Sequence, residues 1–245
     1  MTTEKRPAVE VTLRIPGDWS GPKDIIDRLP DGYRIEGSQL ILPDQMGIDV
    51  FPIPPDGQFP GVFRTSLRQP ANAEELEIVD RYTINVGLAG PGGSLEYAHK
   101  MMEAGAAIIQ AGGAGVFIDN SCLAHGAEDW LHMTEEASSD SISFAFAGIV
   151  RGKREVWTMG MHVPGFPDIV MNRADADADD RAIIEMIRYL CAGDREVSDG
   201  HIIADEDGPR YRIQHELPEQ SKASPMHNPF GRLRMISFKD IAEQN

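Results

Sequence analysis

Cysteine is scarce in this chain, and its scarcity excludes a disulfide-stabilised fold. Of the 245 residues only two are cysteines, Cys122 and Cys191, and neither belongs to a Cys-x-x-Cys pair. Two isolated cysteines build no disulfide framework of the kind on which small secreted domains depend. We therefore expect the protein to reside in a reducing compartment, the cytoplasm.

Basic residues are also in short supply. The chain has 23 lysines and arginines against 39 aspartates and glutamates, which gives a formal net charge of −16. Carboxylates in this excess repel the phosphates of nucleic acids and the head groups of anionic membranes. We therefore expect neither nucleic acid nor membrane as a partner, whereas partners with basic patches are favoured.

Long apolar runs are missing as well. No stretch approaches the roughly 20 residues that a membrane-spanning helix requires. The first residues, MTTEKRPAVEV, lack the apolar centre of a signal peptide, so we expect none. What the chain does have is 41% hydrophobic residues, enough for one large core or for two small folded units.

Hydrophobic periodicity predicts an alternation of strands and helices. Residues 9–15 alternate apolar and polar side chains, which is the pattern of a half-buried strand. The longest predicted helix covers residues 94–111, where apolar side chains recur along one side. Two hairpins are predicted, one with a glycine turn at 151–153 and one around Asp207-Gly208.

Hairpins outnumber crossover connections, which favours an α+β fold over a doubly wound parallel one. We predict a mainly antiparallel sheet with helices on one face, in a ferredoxin-like, split β-α-β order. Three parts are expected: a small N-terminal β-α-β-β-α unit at 1–81, the ferredoxin-like unit at 82–216 and a C-terminal arm at 217–245. The arm docks either on its own body or, as an exchanged strand, on a partner subunit.

Residues 121–136 hold the densest set of side chains that could perform chemistry. If a helix begins at His125, two imidazoles and two carboxylates share one narrow stripe. The stripe consists of His125, Asp129, His132 and Glu136. It could hold zinc or another divalent ion. The alternative is an ordinary exposed helix face opposite a buried side with Trp130 and Leu131, and a helix interrupted at Gly126 would lose His125 from the stripe.

Cys122 and His125 form a second candidate, a thiolate–imidazole pair for nucleophilic catalysis. They lie three residues apart at the end of a predicted strand, close enough to meet. The alternative is that Cys122 is a small buried apolar residue. No complete catalytic set is recognisable, so the sequence leaves open whether the protein is an enzyme.

Two other segments resemble binding loops only in part. Residues 87–96 place glycines between a strand and a helix, with Asp119 near the position of a ribose-binding acid, but GxGxxG is incomplete. Residues 175–180 alternate aspartates as a calcium loop does, but Asp180 occupies the position that requires glycine. We expect a tight turn and a helix start, respectively, and no bound cofactor.

The segment 158–168 combines a strand end with two glycines and two prolines. Such turns permit close packing of backbones or form the rim of a pocket. His162 within it is interpreted as a satisfied surface or core residue rather than as a ligand.

Two stretches, GAGVFIDNSCLAHGAEDWL and EVWTMGMHVPGFPDIVM, resemble a family of uncharacterised bacterial proteins with a domain of unknown function. The resemblance covers roughly residues 82–216. Its matching positions are Gly115, Val116, His125, Glu128, Thr158, Gly160, Gly165, Pro167 and Asp168. The resemblance implies the predicted order of elements and a bacterial cytoplasm, and it implies no catalytic residues.

The sequence therefore supports two functions. The first is a non-catalytic binding or interaction protein, a homodimer with an unknown protein or small-molecule partner. The second is a small, metal-assisted, hydrolase-like enzyme that uses residues 121–136. A deep pocket that joins His125, Asp129 or Cys122 to residues 158–168 favours the enzyme, and a flat apolar patch favours the interaction protein.

Overall fold

The computed structural model describes residues 7–193, 197–204, 210–218 and 224–238. Within these ranges the chain forms seven helices and thirteen strands, and the strands make two sheets, of seven and of six strands. One pair of neighbouring strands in the second sheet is parallel, and the other pairs are antiparallel. The predicted α+β class with a mainly antiparallel sheet is confirmed.

The first sheet uses the N-terminal half of the chain. Its strands are β1 (Glu10–Gly17), β2 (Arg34–Glu36), β3 (Gln39–Ile41), β4 (Gly47–Ile53), β5 (Ile84–Pro91), β6 (Gly115–Ile118) and β7 (Leu123–Gly126). Their order across the sheet is β2-β3-β4-β5-β1-β6-β7, antiparallel throughout. The helices in this part are α1 (Pro22–Asp27), α2 (Phe59–Ser66), α3 (Ala73–Arg81) and α4 (Leu95–Gln110).

Strand β1 is the centre of the first sheet. Its alternating apolar side chains, Val11, Leu13 and Ile15, are fully buried in the first core, as the period of two predicts. β1 pairs with β5 on one side and with β6 on the other, and α4 connects those two strands. The predicted boundary between residues 81 and 82 therefore falls inside one sheet and one core.

The ferredoxin-like order predicted for residues 82–216 is not confirmed, because the strands of this range are divided between two sheets. Helices also lie on both faces of the first sheet rather than on one. Val116 and Ile118 of β6 pack into the core that contains α4, whereas Phe117 packs with residues of α2 and α3 on the opposite face. Successive residues of a strand point to opposite faces, so β6 is covered on both sides.

The second sheet uses the C-terminal half. Its strands are β8 (Gly148–Arg151), β9 (Glu155–Met159), β10 (Asp168–Asn172), β11 (Ile202–Ala204), β12 (Arg210–Glu216) and β13 (Arg232–Ser237), in the order β11-β12-β13-β10-β9-β8. The remaining helices are α5 (Ala127–Glu136), α6 (Ser139–Phe146) and α7 (Arg181–Ala192). Helices α5 and α6 pack into the first core, and α7 packs into the second. The hairpin predicted at 151–153 connects β8 to β9. The turn predicted at Asp207-Gly208 lies outside the described residues.

Strand β13 places part of the predicted arm inside the second sheet. It lies between β12 and β10, antiparallel to the first and parallel to the second. Leu233 and Met235 are buried in the second core, which also contains Ile187 of α7. Residues 232–237 are thus docked on their own body, and exchange with a partner subunit stays a prediction. Residues 219–223 and 239–245 of the arm lie outside the described residues.

Across the described ranges, no helix combines the length and the apolar character that crossing a membrane requires.

Candidate functional site

Helix α5 begins one residue after Gly126, which occupies its N-cap position. His125 therefore belongs to strand β7, and the predicted stripe of four ligands is not formed. Within the described part of the chain, no cluster of three or more His, Cys, Asp or Glu side chains has a geometry that could hold a metal. Trp130 is fully buried and Leu131 packs against the first core, as an ordinary amphipathic helix requires.

Glu75 explains why the helix begins where it does. Its Oε1 accepts a hydrogen bond from the Glu128 backbone N–H at 2.9 Å, and its Oε2 accepts one from the Asn72 N–H at 2.9 Å. One buried carboxylate thus caps the N-termini of both α3 and α5. A side chain at position 126 would collide with it, since a Cβ there would lie 2.5 Å from Glu75 Oε2.

His125 is enclosed on every side. The ring has no exposed surface, and its Nε2 lies 2.9 Å from the carbonyl oxygen of Ala145, to which it donates. Burial lowers the pKa of His125 to about 4, so the ring is neutral at pH 7. Because Nε2 is engaged and Nδ1 is buried as well, neither nitrogen is available to a metal or a substrate.

Cys122 is exposed but is not activated. Its thiol contacts the sulfur of Met226 at 3.6 Å. Burial of the sulfur, followed by the charge of Asp119, raises the pKa of the Cys122 thiol. Arg14 pairs with Asp119 at 2.8 Å and does not reverse this effect. Across the described residues the thiol makes no hydrogen bond to His125, so the predicted thiolate–imidazole pair is not assembled.

Cys122 is therefore expected to react with iodoacetamide at pH 7 more slowly than free cysteine, because only the thiolate attacks and the raised pKa reduces its population. Cys191, whose pKa burial raises to about 12, is expected to react only after unfolding. Mass spectrometry of samples quenched over time, with and without urea, measures both rates. The Cys122→Ser variant isolates Cys191 as the control. A native-state reaction faster than that of free cysteine would show an activated nucleophile.

A buried amide, Asn120, connects the first sheet to the C-terminal segment. It follows β6 and has no exposed surface. Its Oδ1 accepts from the Thr12 N–H at 3.0 Å, and its Nδ2 donates to the carbonyl oxygens of Glu10 at 2.9 Å and Pro225 at 3.0 Å. All the hydrogen atoms of the side-chain amide are used, so Asn120 holds β1 and residue 225 in a fixed relation.

His162 lies directly beside this amide and is 2% exposed. Its Nε2 lies 3.0 Å from the Pro225 carbonyl oxygen and 3.1 Å from Asn120 Nδ2. Since both hydrogens of the amide have other acceptors, the ring carries its proton on Nε2 and donates to Pro225. Burial lowers the pKa of His162 to about 4, so this ring is also neutral at pH 7.

Asp168 anchors the same C-terminal segment from the second sheet. Its Oδ1 accepts from the Thr158 hydroxyl at 3.2 Å and from the Met161 N–H at 3.3 Å. Its Oδ2 accepts from Asn228 Nδ2 at 3.0 Å. Burial nevertheless raises the pKa of Asp168 to about 6, because the carboxyl group is almost entirely removed from water.

Residues 224–228 line two clefts where the two sheets meet. The larger, which we call the junction cleft, has a volume of about 560 Å³. Its polar wall residues are Glu10, Thr12, His162, Ser224 and His227. The smaller cleft has a volume of about 270 Å³, with Asp168, Asn228 and Arg232 on its wall. Ser224 and His227 line both clefts.

The phosphate-loop and calcium-loop alternatives have little geometric support. The N–H of Gly92 donates to the Val9 carbonyl at 2.9 Å, and the N–H of Gly93 donates to the Val163 carbonyl at 2.8 Å. These amides are thus engaged and do not face a phosphate. Asp177 Oδ1 accepts from the N–H of Arg181, the first residue of α7, at 2.8 Å, which is the predicted helix start.

The predicted site residues are brought together only in part. Asp129, His132 and Glu136 lie along one side of α5 and line the same groove, while His125 and Cys122 lie apart from them. The segment 158–168, predicted as a pocket rim, contributes His162 to the junction cleft. Sequence reasoning missed Asn120 and the segment 224–228. The available signal was a polar residue two positions after the apolar run GVFI, but the partners of Asn120 are about a hundred residues away.

No protein-family model matches the chain, and no curated protein or solved structure shows significant similarity to it. The resemblance to a family of bacterial proteins stays a prediction.

Proposed function

We propose that this is a non-catalytic binding protein that holds a small polar molecule in the junction cleft. The supporting observation is the cleft itself, about 560 Å³ at the meeting of two sheets and backed by the buried His162. Ligand sites occur preferentially in such clefts, and buried groups with shifted pKa values concentrate there. The pKa of His162 is lowered to about 4 by burial, which fits this pattern.

The ligand is proposed to be a neutral or cationic donor of hydrogen bonds, such as an amine or a polyol. Among the described wall residues, Glu10 is the only one with a formal charge when His is neutral. No described lysine or arginine forms an ion pair with Glu10. Its carboxylate, with the hydroxyl groups of Thr12 and Ser224, offers acceptors to such a ligand. A net charge of −16 also attracts cations and repels anions.

Catalysis is less well supported, because the reactive side chains are protonated, buried or already hydrogen-bonded within the protein. Cys122 keeps its proton at neutral pH, and His125 is enclosed. His162 donates its Nε2–H to the carbonyl oxygen of Pro225. A nucleophile needs a base within hydrogen-bond reach and access to a substrate. The Cys122 thiol meets the sulfur of Met226 instead of a base, and the Thr158 hydroxyl that donates to Asp168 is buried. The alternative is a metal-assisted hydrolase at residues 121–136. If it were correct, added zinc would raise the melting temperature of the protein. We expect no rise, since His125 is absent from the stripe.

The binding role is tested by thermal unfolding in the presence of a panel of amines, polyols, amino acids and nucleosides. A true ligand at one hundred times its dissociation constant is expected to stabilise the fold by about 2.7 kcal/mol. For an amine, Glu10→Gln is expected to reduce this gain by more than half, and the exposed control Glu36→Gln is expected to leave it unchanged. A panel without any stabilising compound, or equal effects of both variants, would refute the proposal.

We also propose that the protein is a homodimer of the bacterial cytoplasm. The support for a second copy is the edge strand β11, where Ile202 is 61% exposed. An unpaired strand edge with an exposed apolar side chain is a common site of chain association. Light scattering is expected to give twice the chain mass of 27.0 kDa. A single-chain mass at micromolar concentration would contradict the dimer.

A further inference from the structure

A second concave surface, separate from the junction cleft, lies between helices α5, α6 and α7. We call it the helical groove, and its volume is about 310 Å³. Its apolar wall is formed by Met133, Phe144, Ile184 and Ile187. Asp129, His132 and Glu136 line it from α5, and Asp140 lines it from α6. The groove therefore combines an apolar wall with acidic groups.

The arginines of the helical groove are already engaged by the protein itself. The guanidinium of Arg68 stacks on the Phe144 ring, 3.9 Å from its centroid, and donates to the carbonyl oxygens of Phe144 and Ala147. Arg188 pairs with Glu185 at 3.1 Å and with Asp140 at 3.5 Å. Arg188 is thus paired with two carboxylates, whereas Arg68 keeps its positive charge and is held in place by neutral carbonyl oxygens and the Phe144 ring.

The acids of α5 are in the opposite situation. Within the described ranges, no lysine or arginine forms an ion pair with Asp129 or Glu136 at 4.0 Å or less. Burial and then the neighbouring carboxylates of Glu75 and Glu128 raise the pKa of Asp129. The negative charge around Asp129, in the first turn of α5, is therefore accumulated rather than neutralised, and a cation placed beside it would relieve the repulsion.

We propose that the helical groove binds a segment of another polypeptide in which a lysine or arginine stands next to a large apolar side chain. The apolar side chain packs against Phe144 and Ile184, and the cation lies between the carboxylates of Asp129 and Glu136. Interfaces commonly combine an apolar anchor in a pocket with charged groups at its rim. The partner is macromolecular and the surface is separate, so this inference goes beyond the junction cleft and does not depend on it.

Fluorescence polarisation with a defined peptide tests the inference. The probe is a labelled, acetylated and amidated decapeptide of alternating lysine and leucine, titrated with the full-length protein at low salt. Removal of two partly exposed ion pairs by the Asp129→Asn/Glu136→Gln variant is expected to weaken binding by about tenfold. Because the raised pKa of Asp129 marks an unfavourable charge, this variant is expected to keep a melting temperature within a few degrees of wild type.

The matched control is the Asp31→Asn/Glu96→Gln variant, which removes the same charge at exposed positions of other elements. It is expected to change the dissociation constant less than about twofold, since long-range attraction is largely screened. Ile184→Ala is expected to weaken binding by about threefold through lost apolar contact.

Equal weakening by both double variants would overturn the inference, because it would show attraction to the net charge alone. A groove variant that turns a dimer into monomers would also overturn it, since the occupant would then be a second copy of this chain.

Discussion

Replacing Trp130 with alanine is expected to lower the free energy of unfolding by about 3–5 kcal/mol. The indole is fully buried, and its Nε1–H donates to the Met102 carbonyl oxygen at 3.1 Å. It meets the Phe146 ring edge-on at 5.9 Å between centroids, and it fills the space that the missing side chain of Gly105 leaves free on α4. Alanine would remove these contacts and leave a cavity between α4, α5 and α6.

Urea denaturation followed by circular dichroism measures this loss. The control is Trp157→Ala on strand β9, where the indole is only half-buried and the expected loss is correspondingly smaller. A loss at Trp130 below about 1 kcal/mol, or equal to that at Trp157, would show that α5 is not held by its buried side. The polar side of α5, with Asp129 and Glu136, could then not be explained as the face opposite a buried one.

Acidification is expected to destabilise the protein by about 3 kcal/mol between pH 7 and pH 4.5. Burial lowers the pKa values of His125 and His162 to about 4, well below the ordinary value near 6.5. Their stabilisation is complete above the unfolded pKa and is lost as the pH falls toward the folded one, about 2.5 kcal/mol each at pH 4.5.

The titration of Asp168 has the opposite effect on stability as the pH falls. Burial raises its pKa to about 6, so the folded state binds this proton more tightly than the unfolded chain does. Its contribution therefore rises by about 2 kcal/mol as the pH falls from 7 to 4.5, and it cancels part of the loss from the two histidines. The net loss of about 3 kcal/mol is the difference between these opposing effects.

The His125→Gln variant separates the contributions. Glutamine can still donate to the Ala145 carbonyl oxygen but does not titrate, so the acid-induced loss is expected to shrink by about 2.5 kcal/mol. His132→Gln, on the exposed side of α5, is the matched control and is expected to leave the loss unchanged. Urea midpoints across the pH range measure both variants. An unchanged loss in His125→Gln would mean that the ring is not held neutral by burial.

Local elements were predictable because their signals are local. The alternation at residues 9–15 marks β1, and the capping pair Asn72 and Glu75 marks the start of α3. The αL glycine at position 193 ends α7 where the apolar period stops. Each of these patterns is complete within a few residues, so no knowledge of the tertiary structure is needed to recognise it.

The order of strands was not predictable, because it depends on pairing between distant residues. Glu10 pairs with Pro91, and Arg232 pairs with Asp168, across separations that no local pattern records. The insertion of β1 between β5 and β6 is the clearest case. It combines strands of two predicted units into one sheet. Two helices were also missed: α2 was not predicted, and residues 141–146 of α6 were predicted as part of a strand.

The candidate site also has features that local sequence signals predict and features that depend on distant residues. The burial of Trp130 followed from the helical period, but the position of His125 depended on whether Gly126 continues the helix. That was decided by Glu75, about fifty residues earlier, whose carboxylate caps α5. The network of Asn120 and Pro225 could not be anticipated, since one member is a backbone carbonyl.

Amide chemical-shift mapping of the ¹⁵N-labelled protein tests the location of the binding site most directly. Pools of amines and polyols are added, and the perturbed residues are identified. We expect the largest perturbations in residues 8–12 and 224–228, which line the junction cleft, with residues 127–136 unaffected. Perturbations confined to residues 121–136, or none with any pool, would contradict the assignment of the binding site.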